Sequence, residues 1–332
     1  MLVKSTKEIF SELGLRLAEF GSDEVSRSVI ARAVAENEWF SVNDICYAVE
    51  ALRGELLDAE KVSLWLSHYP SIASHEPKRV AIVMAGNIPL VGFFDLMCVI
   101  ASGNIPCVKP SSKDYALECY VEALLREIEP ALRIERFVDG LDYDAVIATG
   151  SDNANLYFRS KFGHIPCLLR GSRHSVAVLS GRESQDDMKA LADDVFRYAG
   201  LGCRNVSLIF APKGYMPQIE ARPMCHAYHN NYRQCRALLA MQSAKFVDLG
   251  EALLVSSAAE FPRYLSQVNV VEYGDIDDVR RWLAENDDAL QCVVSSIEGL
   301  HSRTVRLGRA QLPTLFDYAD VRDTMQFLLS VE

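Results

Sequence analysis

From Arg79 onward the sequence alternates short apolar runs with amphipathic ones, and this alternation limits the possible folds more than any other feature of the chain. Strands are expected over 80–85, 105–108, 135–138, 145–149, 167–169 and 176–179, with helices over 90–102, 114–129, 153–162 and 187–199. Parallel neighbours need a crossover long enough to bring the chain back to the same edge, so strand, helix, strand in succession is the signature of a parallel sheet with helices on its faces. A second, smaller series follows, with strands over 206–210, 253–256, 268–272 and 290–294 and helices over 226–242 and 277–285. The expected class is α/β, a doubly wound nucleotide-binding architecture. The G-x-G-x-x-G turn that usually receives a dinucleotide is missing, which excludes the ordinary dinucleotide-binding loop.

Residues 1–75 read as helices only. Ser5 with Glu8 and Ser41 with Asp44 have the spacing of helix-capping pairs ahead of runs with apolar residues every three or four positions. No chemistry is legible there, and a helical cap is expected. The longest apolar stretch, 80–108, is interrupted by Asn87, Pro89, Asp95, Gly103, Asn104 and Pro106, which suits strand, helix and strand but no lipid-facing helix.

Composition narrows the partners. Lys and Arg total 34 against 45 Asp and Glu, a net charge of −11, which argues against nucleic acid or an anionic membrane as the main partner. Nine cysteines without paired spacing, behind a start that lacks an apolar leader segment, point to a reducing cytoplasm and no disulfide framework.

One cysteine stands apart. Cys203 lies in Gly200-Leu201-Gly202-Cys203-Arg204, between an amphipathic helix and an apolar run. Glycines on either side let a substrate come close, and a nearby helix N-terminus or basic group would help the thiol ionise and attack a carbonyl carbon. Taken locally, a packing role for Cys203 remains the alternative.

Further signposts stand in order along the chain: Ala85-Gly86-Asn87-Ile88-Pro89, Gly103-Asn104, Val108-Lys109-Pro110-Ser111-Ser112, Thr149-Gly150-Ser151 and Gly202-Cys203. Together they resemble the aldehyde dehydrogenase superfamily over about 78–300. Within it the chain is similar to the acyl-CoA reductase branch, of the type found in bacterial bioluminescence, a likeness to which Arg170-Gly171-Ser172-Arg173 and the 320–328 tail add. The resemblance implies an aldehyde-dehydrogenase-like fold of two doubly wound α/β domains with an N-terminal helical segment. Its divisions would be 1–75, helical; 76–200, cofactor-binding; 201–311, catalytic; and 312–332, a tail returning to the first domain.

The resemblance also implies roles. Cys203 falls on the nucleophile, and Asn87 on the asparagine whose amide, with the Cys203 N–H, steadies the developing oxyanion. Lys109 falls on the lysine that holds the adenosine ribose. Gly150 and Ser151 lie on the turn that meets the pyrophosphate at a helix N-terminus. Ser111 belongs to the same cofactor stretch, and Ser112 stands where NAD-preferring relatives often carry glutamate. With Lys113 beside it, this favours NADPH over NADH. The implied reaction is reduction of an acyl-CoA, or another acyl thioester, to an aldehyde through an acyl-cysteine. A homo-oligomer or an acyl-donating partner protein is compatible with it. Two departures matter. The general-base glutamate of the oxidising enzymes would align with Leu169, which cannot activate water, and the later Glu-x-x-Gly-Pro signpost is not clear, Glu260-Phe261-Pro262 being its nearest trace. Rival readings are an oxidising aldehyde dehydrogenase and a noncatalytic dinucleotide-binding protein. Cys225, His226, His229 and Cys235 are of metal-ligand type, but helical spacing does not converge them and no tight C-x-x-C pair exists, so zinc is not expected.

Overall fold

The computed structural model describes residues 3–69, 72 and 76–331. The chain divides into two compact units: Met1–Ser172 with Pro313–Glu332, and Arg173–Leu312.

The first unit opens with four helices, α1 (Thr6–Arg16), α2 (Glu24–Glu36), α3 (Val42–Glu55) and α4 (Ala59–Ser67). Ser5 and Glu8 form a reciprocal capping box on α1, and the Ser41 side chain accepts the Asp44 N–H at the start of α3. Each side-chain cap satisfies a donor the first turn would otherwise leave orphaned. These helices bury Phe10, Leu13, Ile45 and Trp65 in one core with the sheet that follows, so the helical segment is part of this unit and not a separate domain.

That sheet comprises β1 (Arg79–Val83), β2 (Ile105–Lys109), β3 (Glu135–Arg136), β4 (Ala145–Thr149) and β5 (Cys167–Arg170). All pairs are parallel, in the order β3-β2-β1-β4-β5. The connecting helices are α5 (Phe93–Ala101), α6 (Tyr115–Ile128) and α7 (Asp152–Phe162). Alternating side chains leave the sheet on opposite faces. Val80, Ile82 and Ile147 join the core containing α5 and α6, while Ala81, Val146 and Ala148 pack with Phe158 and Phe162 of α7. The C-terminal α11 (Thr324–Leu329) adds buried Met325 and Leu328 to the α5 and α6 side.

The second unit is built on β6 (His174–Val178), β7 (Val206–Pro212), β8 (Phe246–Asp248), β9 (Leu253–Ser256), β10 (Gln267–Tyr273), β11 (Leu290–Ser295) and β12 (Thr304–Val305). Their order is β12-β11-β6-β7-β10-β9-β8, parallel except for the antiparallel β8–β9 pair. Helix α8 (Gln185–Phe196) packs on one face through Met188, Leu191 and Val195, and α10 (Ile276–Glu285) on the other through Val279 and Leu283. Helix α9 (His226–Met241) buries Tyr228, Tyr232 and Cys235.

The expected division at 200/201 is corrected by this topology. β6 pairs with β7 and β11, so it and α8 belong to the second sheet, and the chain leaves the first sheet after β5. The alternating pattern runs unbroken across this point, which is why local sequence does not mark it. Among the described residues, no helix is long and apolar enough to cross a membrane.

Candidate active site

The strand order of the first sheet reverses at β1: the chain moves outward through β2 to β3, then resumes on the other side with β4. At such a reversal the connections leave in opposite directions and open a crevice at the carboxyl ends of the strands. The signposts of the first unit follow those ends: Gly86 and Asn87 after β1, Lys109, Ser111 and Ser112 at and after β2, Gly150 and Ser151 after β4.

Each turn is held by specific contacts. The Met84 N–H donates to the Lys109 carbonyl at 3.1 Å, extending the β1–β2 pairing to the turn. A Cβ on Gly86 would lie 2.7 Å from Ser111 Cβ, so only glycine lets the two loops approach this closely. The Gly86 carbonyl accepts from buried Asn37 of the segment after α2, at 3.0 Å. Asn87 is exposed on the turn, and three residues on, Leu90 has φ +55°, a left-handed conformation that costs about 1–2 kcal/mol for a residue with a side chain. Asp114, buried ahead of α6, accepts the Leu90 N–H at 2.6 Å and fixes that conformation. Burial, then the neighbouring Glu118 carboxyl, pushes Asp114 up to about 9. Neither Asn37 nor Asp114 was singled out from sequence, because their partners lie 49 and 24 residues away.

At β2, the Lys109 ammonium is 5.6 Å from the centre of the Phe137 ring. The Ser111 hydroxyl accepts the Lys113 N–H at 3.2 Å, and Ser112 and Lys113 are exposed. After β4, Ser151 caps α7, its side chain accepting the Ala154 N–H at 3.4 Å. A Cβ on Gly150 would lie 2.8 Å from Ala154 Cβ, so glycine permits the tight passage from strand to helix. The Gly150 N–H (3.3 Å) and Asn155 Nδ2 (2.9 Å) both donate to the Arg170 carbonyl, tying this turn to the end of β5. The two segments added to the resemblance also meet here: the Arg170 guanidinium donates to Asp95 at 2.6 Å and to Thr324 at 2.7 Å, and the Gly171 N–H to Asp320 at 3.4 Å. Leu169 packs in the apolar layer with Phe158 and Cys167.

Cys203 lies in the second unit, exposed on the turn from α8 to β7. Tyr198, Ala199 and Gly200 are all left-handed, at φ 55°, 53° and 71°. The first two carry side chains, so the turn is strained and must be held by its surroundings. Phe261 of the Glu260-Phe261-Pro262 segment stacks on His174, with ring centres 4.1 Å apart. Of the residues of metal-ligand type, His229 Nδ1 lies 3.0 Å from Glu251, His226 Nδ1 lies 3.2 Å from Asn230, and Cys235 is buried. No group of three metal-ligating side chains occurs among the described residues.

The model of the acyl-CoA reductase (LuxC) family matches residues 48–221, more than half of the chain, including Asn87, Lys109, Gly150 and Cys203. No curated protein sequence matches. Among solved structures, aldehyde dehydrogenase 21 of Physcomitrella patens, in complex with the reaction product succinate, superposes with a TM-score of 0.68 at 11% identity, covering 98% of this chain and 83% of that one. The NAD+ complex of an aldehyde dehydrogenase from Bacillus cereus gives 0.62 at 13% identity, over 89% and 72%. An aldehyde dehydrogenase of Mycobacterium tuberculosis complexed with NAD+ gives 0.58 at 14% identity, over 87% and 72%. The fold is that of the aldehyde dehydrogenases.

Proposed function

The chain belongs to the acyl-CoA reductase (LuxC) family, and from that premise we propose that it reduces an acyl-CoA, or another acyl thioester, to an aldehyde, with Cys203 carrying the acyl group. The observation that carries this reading is the exposure of Cys203 on a strained turn inside the region the family model matches.

In the first step the Cys203 thiolate attacks the thioester carbonyl carbon. A new S–C bond forms, the bond to the coenzyme A sulfur breaks, and coenzyme A leaves as a thiol with the proton that Cys203 gave up. The exchange swaps one thioester for another, so it runs without a large free-energy change. Asn87 donates its side-chain amide to the carbonyl oxygen as charge develops, a contribution typically worth about 3 kcal/mol. A nicotinamide cofactor held at the strand ends near Lys109, Gly150 and Ser151 would supply the hydride that the acyl carbon takes up. Cys203 then departs as thiolate, the C–S bond breaks and the aldehyde is released. Leu169 gives water no base, so hydrolysis of the acyl-Cys203 to the acid is disfavoured.

The cofactor reading rests on the carboxyl ends of β2, β1 and β4. The glycines allow close main-chain approach, the amides at the start of α7 suit a pyrophosphate, and Lys109, the last residue of β2, would serve a ribose. Relatives of this fold solved with NAD+ support a nicotinamide dinucleotide. The absence of a carboxylate at Ser112, with Lys113 adjacent, favours NADPH by leaving room for a 2′-phosphate.

The test is to incubate the protein with acyl-CoAs of graded length, locate any adduct by mass spectrometry, and then add NADPH. The expected result is an acyl group on Cys203 that persists in buffer, returns to added coenzyme A and becomes aldehyde with NADPH, and is absent in Cys203→Ala. Rapid release of free acid by the wild type would instead favour the oxidising dehydrogenase reading.

A further inference from the structure

The main chain around Cys203 is gripped on both sides by buried polar side chains that belong to neither the sequence signposts nor the mechanism above. Asn205, two residues on, accepts the Gly202 N–H at Oδ1 (2.8 Å), while its Nδ2 reaches the carbonyls of Asp194 (3.2 Å), Val195 (3.2 Å) and Arg197 (2.9 Å) at the end of α8. It thus donates to carbonyls of the last turn of the helix and of the residue after it, just where the chain turns left-handed. On the other side, Ser175 of β6 donates its hydroxyl to the Cys203 carbonyl at 2.8 Å. The Cys292 N–H donates to the same hydroxyl oxygen at 3.2 Å, which leaves the hydroxyl hydrogen for Cys203, and Cys292 Sγ lies 3.2 Å away.

The sheet is irregular at this residue on both sides. The β6–β11 register shifts between Leu290 and Cys292, and the β6–β7 register shifts between Ser175 and Val176. Bulges re-aim side chains and recur beside functional sites. Ser175 is also fully buried, where an ordinary strand position would favour an apolar residue.

We propose that Asn205 and Ser175 are positioning residues that clamp the backbone of Cys203, one through the Gly202 amide and one through the Cys203 carbonyl, so that only its side chain is presented. The proposal rests on the reading of Cys203 as a nucleophile. Both act on main-chain atoms, the Cys203 carbonyl and the Gly202 N–H. Their effect is on orientation, for which a misplacement of about 1 Å costs on the order of 10²-fold in rate.

The test compares wild type, Ser175→Ala, Ser175→Thr and Asn205→Asp in their reactions with p-nitrophenyl acetate and with iodoacetamide, quantifying adducts at Cys203 by peptide mass spectrometry. Alkylation asks mainly for an accessible thiol, whereas acylation asks for a sulfur held against a carbonyl. The expected result is a fall in the ratio of acylation to alkylation of about tenfold or more in Ser175→Ala and Asn205→Asp, with recovery in Ser175→Thr, which keeps the hydroxyl. An unchanged ratio in Ser175→Ala overturns the clamp, as does a Ser175→Thr protein as slow as Ser175→Ala, or a wild-type Cys203 that the ester leaves unacylated. If Asn205→Asp does not fold, the Ser175 pair carries the test alone. Acylation of wild-type Cys203 by the ester but by no acyl-CoA would leave the clamp standing and remove the reductase reading, so the two failures are distinguishable.

Discussion

Asn87 shows how much one exposed side chain depends on buried ones. Its turn is fixed by Asn37 on the Gly86 carbonyl and by Asp114 on the Leu90 amide. Asn87→Ala leaves both holds in place and removes the side-chain amide, so kcat for aldehyde formation should fall on the order of 10²- to 10³-fold with cofactor affinity nearly unchanged. Steady-state kinetics and a cofactor titration check this, and an unchanged kcat would return Asn87 to the role of a turn residue. Ser112 is exposed, so a new charge there perturbs no packing. Ser112→Glu should shift the preference from NADPH toward NADH, because a carboxylate beside a 2′-phosphate costs about 1 to 4 kcal/mol depending on exposure. A wild type that already prefers NADH in a competition assay defeats the premise.

Helix α6 and the residue that caps it bury a row of carboxyls. Asp114, Glu118 and Glu122 recur every four residues and form a fully buried line. Glu122 is paired with Arg136 at 2.7 Å and Arg126 at 3.4 Å, but neither oxygen of Glu118 has a hydrogen-bond partner among the described residues. Burial, then the Glu122 charge, raises Glu118 to about 8. A carboxyl that holds its proton more tightly when folded stabilises the fold below its unfolded pKa, near 4.5, and loses that contribution as pH rises through its folded value. Stability should therefore decline between about pH 4.5 and 8 on account of Glu118. Glu118→Gln removes the titration, so at pH 9 the variant should melt above the wild type by roughly 2–4 °C for each kcal/mol recovered, with the gap closing toward pH 5. Thermal melts across this range decide the matter; parallel curves would mean that Glu118 is solvated.

The first unit, taken as a whole, is discontinuous in sequence: its core is closed by residues from the far end of the chain. Leu315, Met325 and Leu328 are buried in it, Tyr318 accepts from Trp65 at 2.7 Å, and Thr324 accepts from Arg170. Burying each such apolar side chain contributes about 1.5–3 kcal/mol, against a total stability of about 5–15 kcal/mol for a domain. A chain truncated after Leu312 should therefore lose ordered structure in the first unit, seen as rapid proteolysis around β1 and α5 and loss of cofactor binding. A truncated protein whose first unit resists protease as well as the full chain would show the tail to be dispensable.

The class of fold and most of its elements are legible in the sequence, because their causes are local. Apolar spacing marked β4 and β9 to the residue, Ser5 and Ser41 announced their helices, and the order of Asn87, Lys109, Gly150 and Cys203 pointed to the family. What lay between distant segments was decided only by tertiary structure. Nothing in 173–200 says that β6 pairs with β7 and β11 rather than joining the first sheet, since a buried parallel strand reads alike in either. The short β8 and β12 are too brief to carry a period. Likewise, Ser175 and Asn205 look like ordinary strand and turn residues until folding brings one to the Cys203 carbonyl and the other to the end of α8. Local periodicity selects the elements. The partners of a buried hydroxyl, amide or carboxyl are set by chain segments that no local window contains.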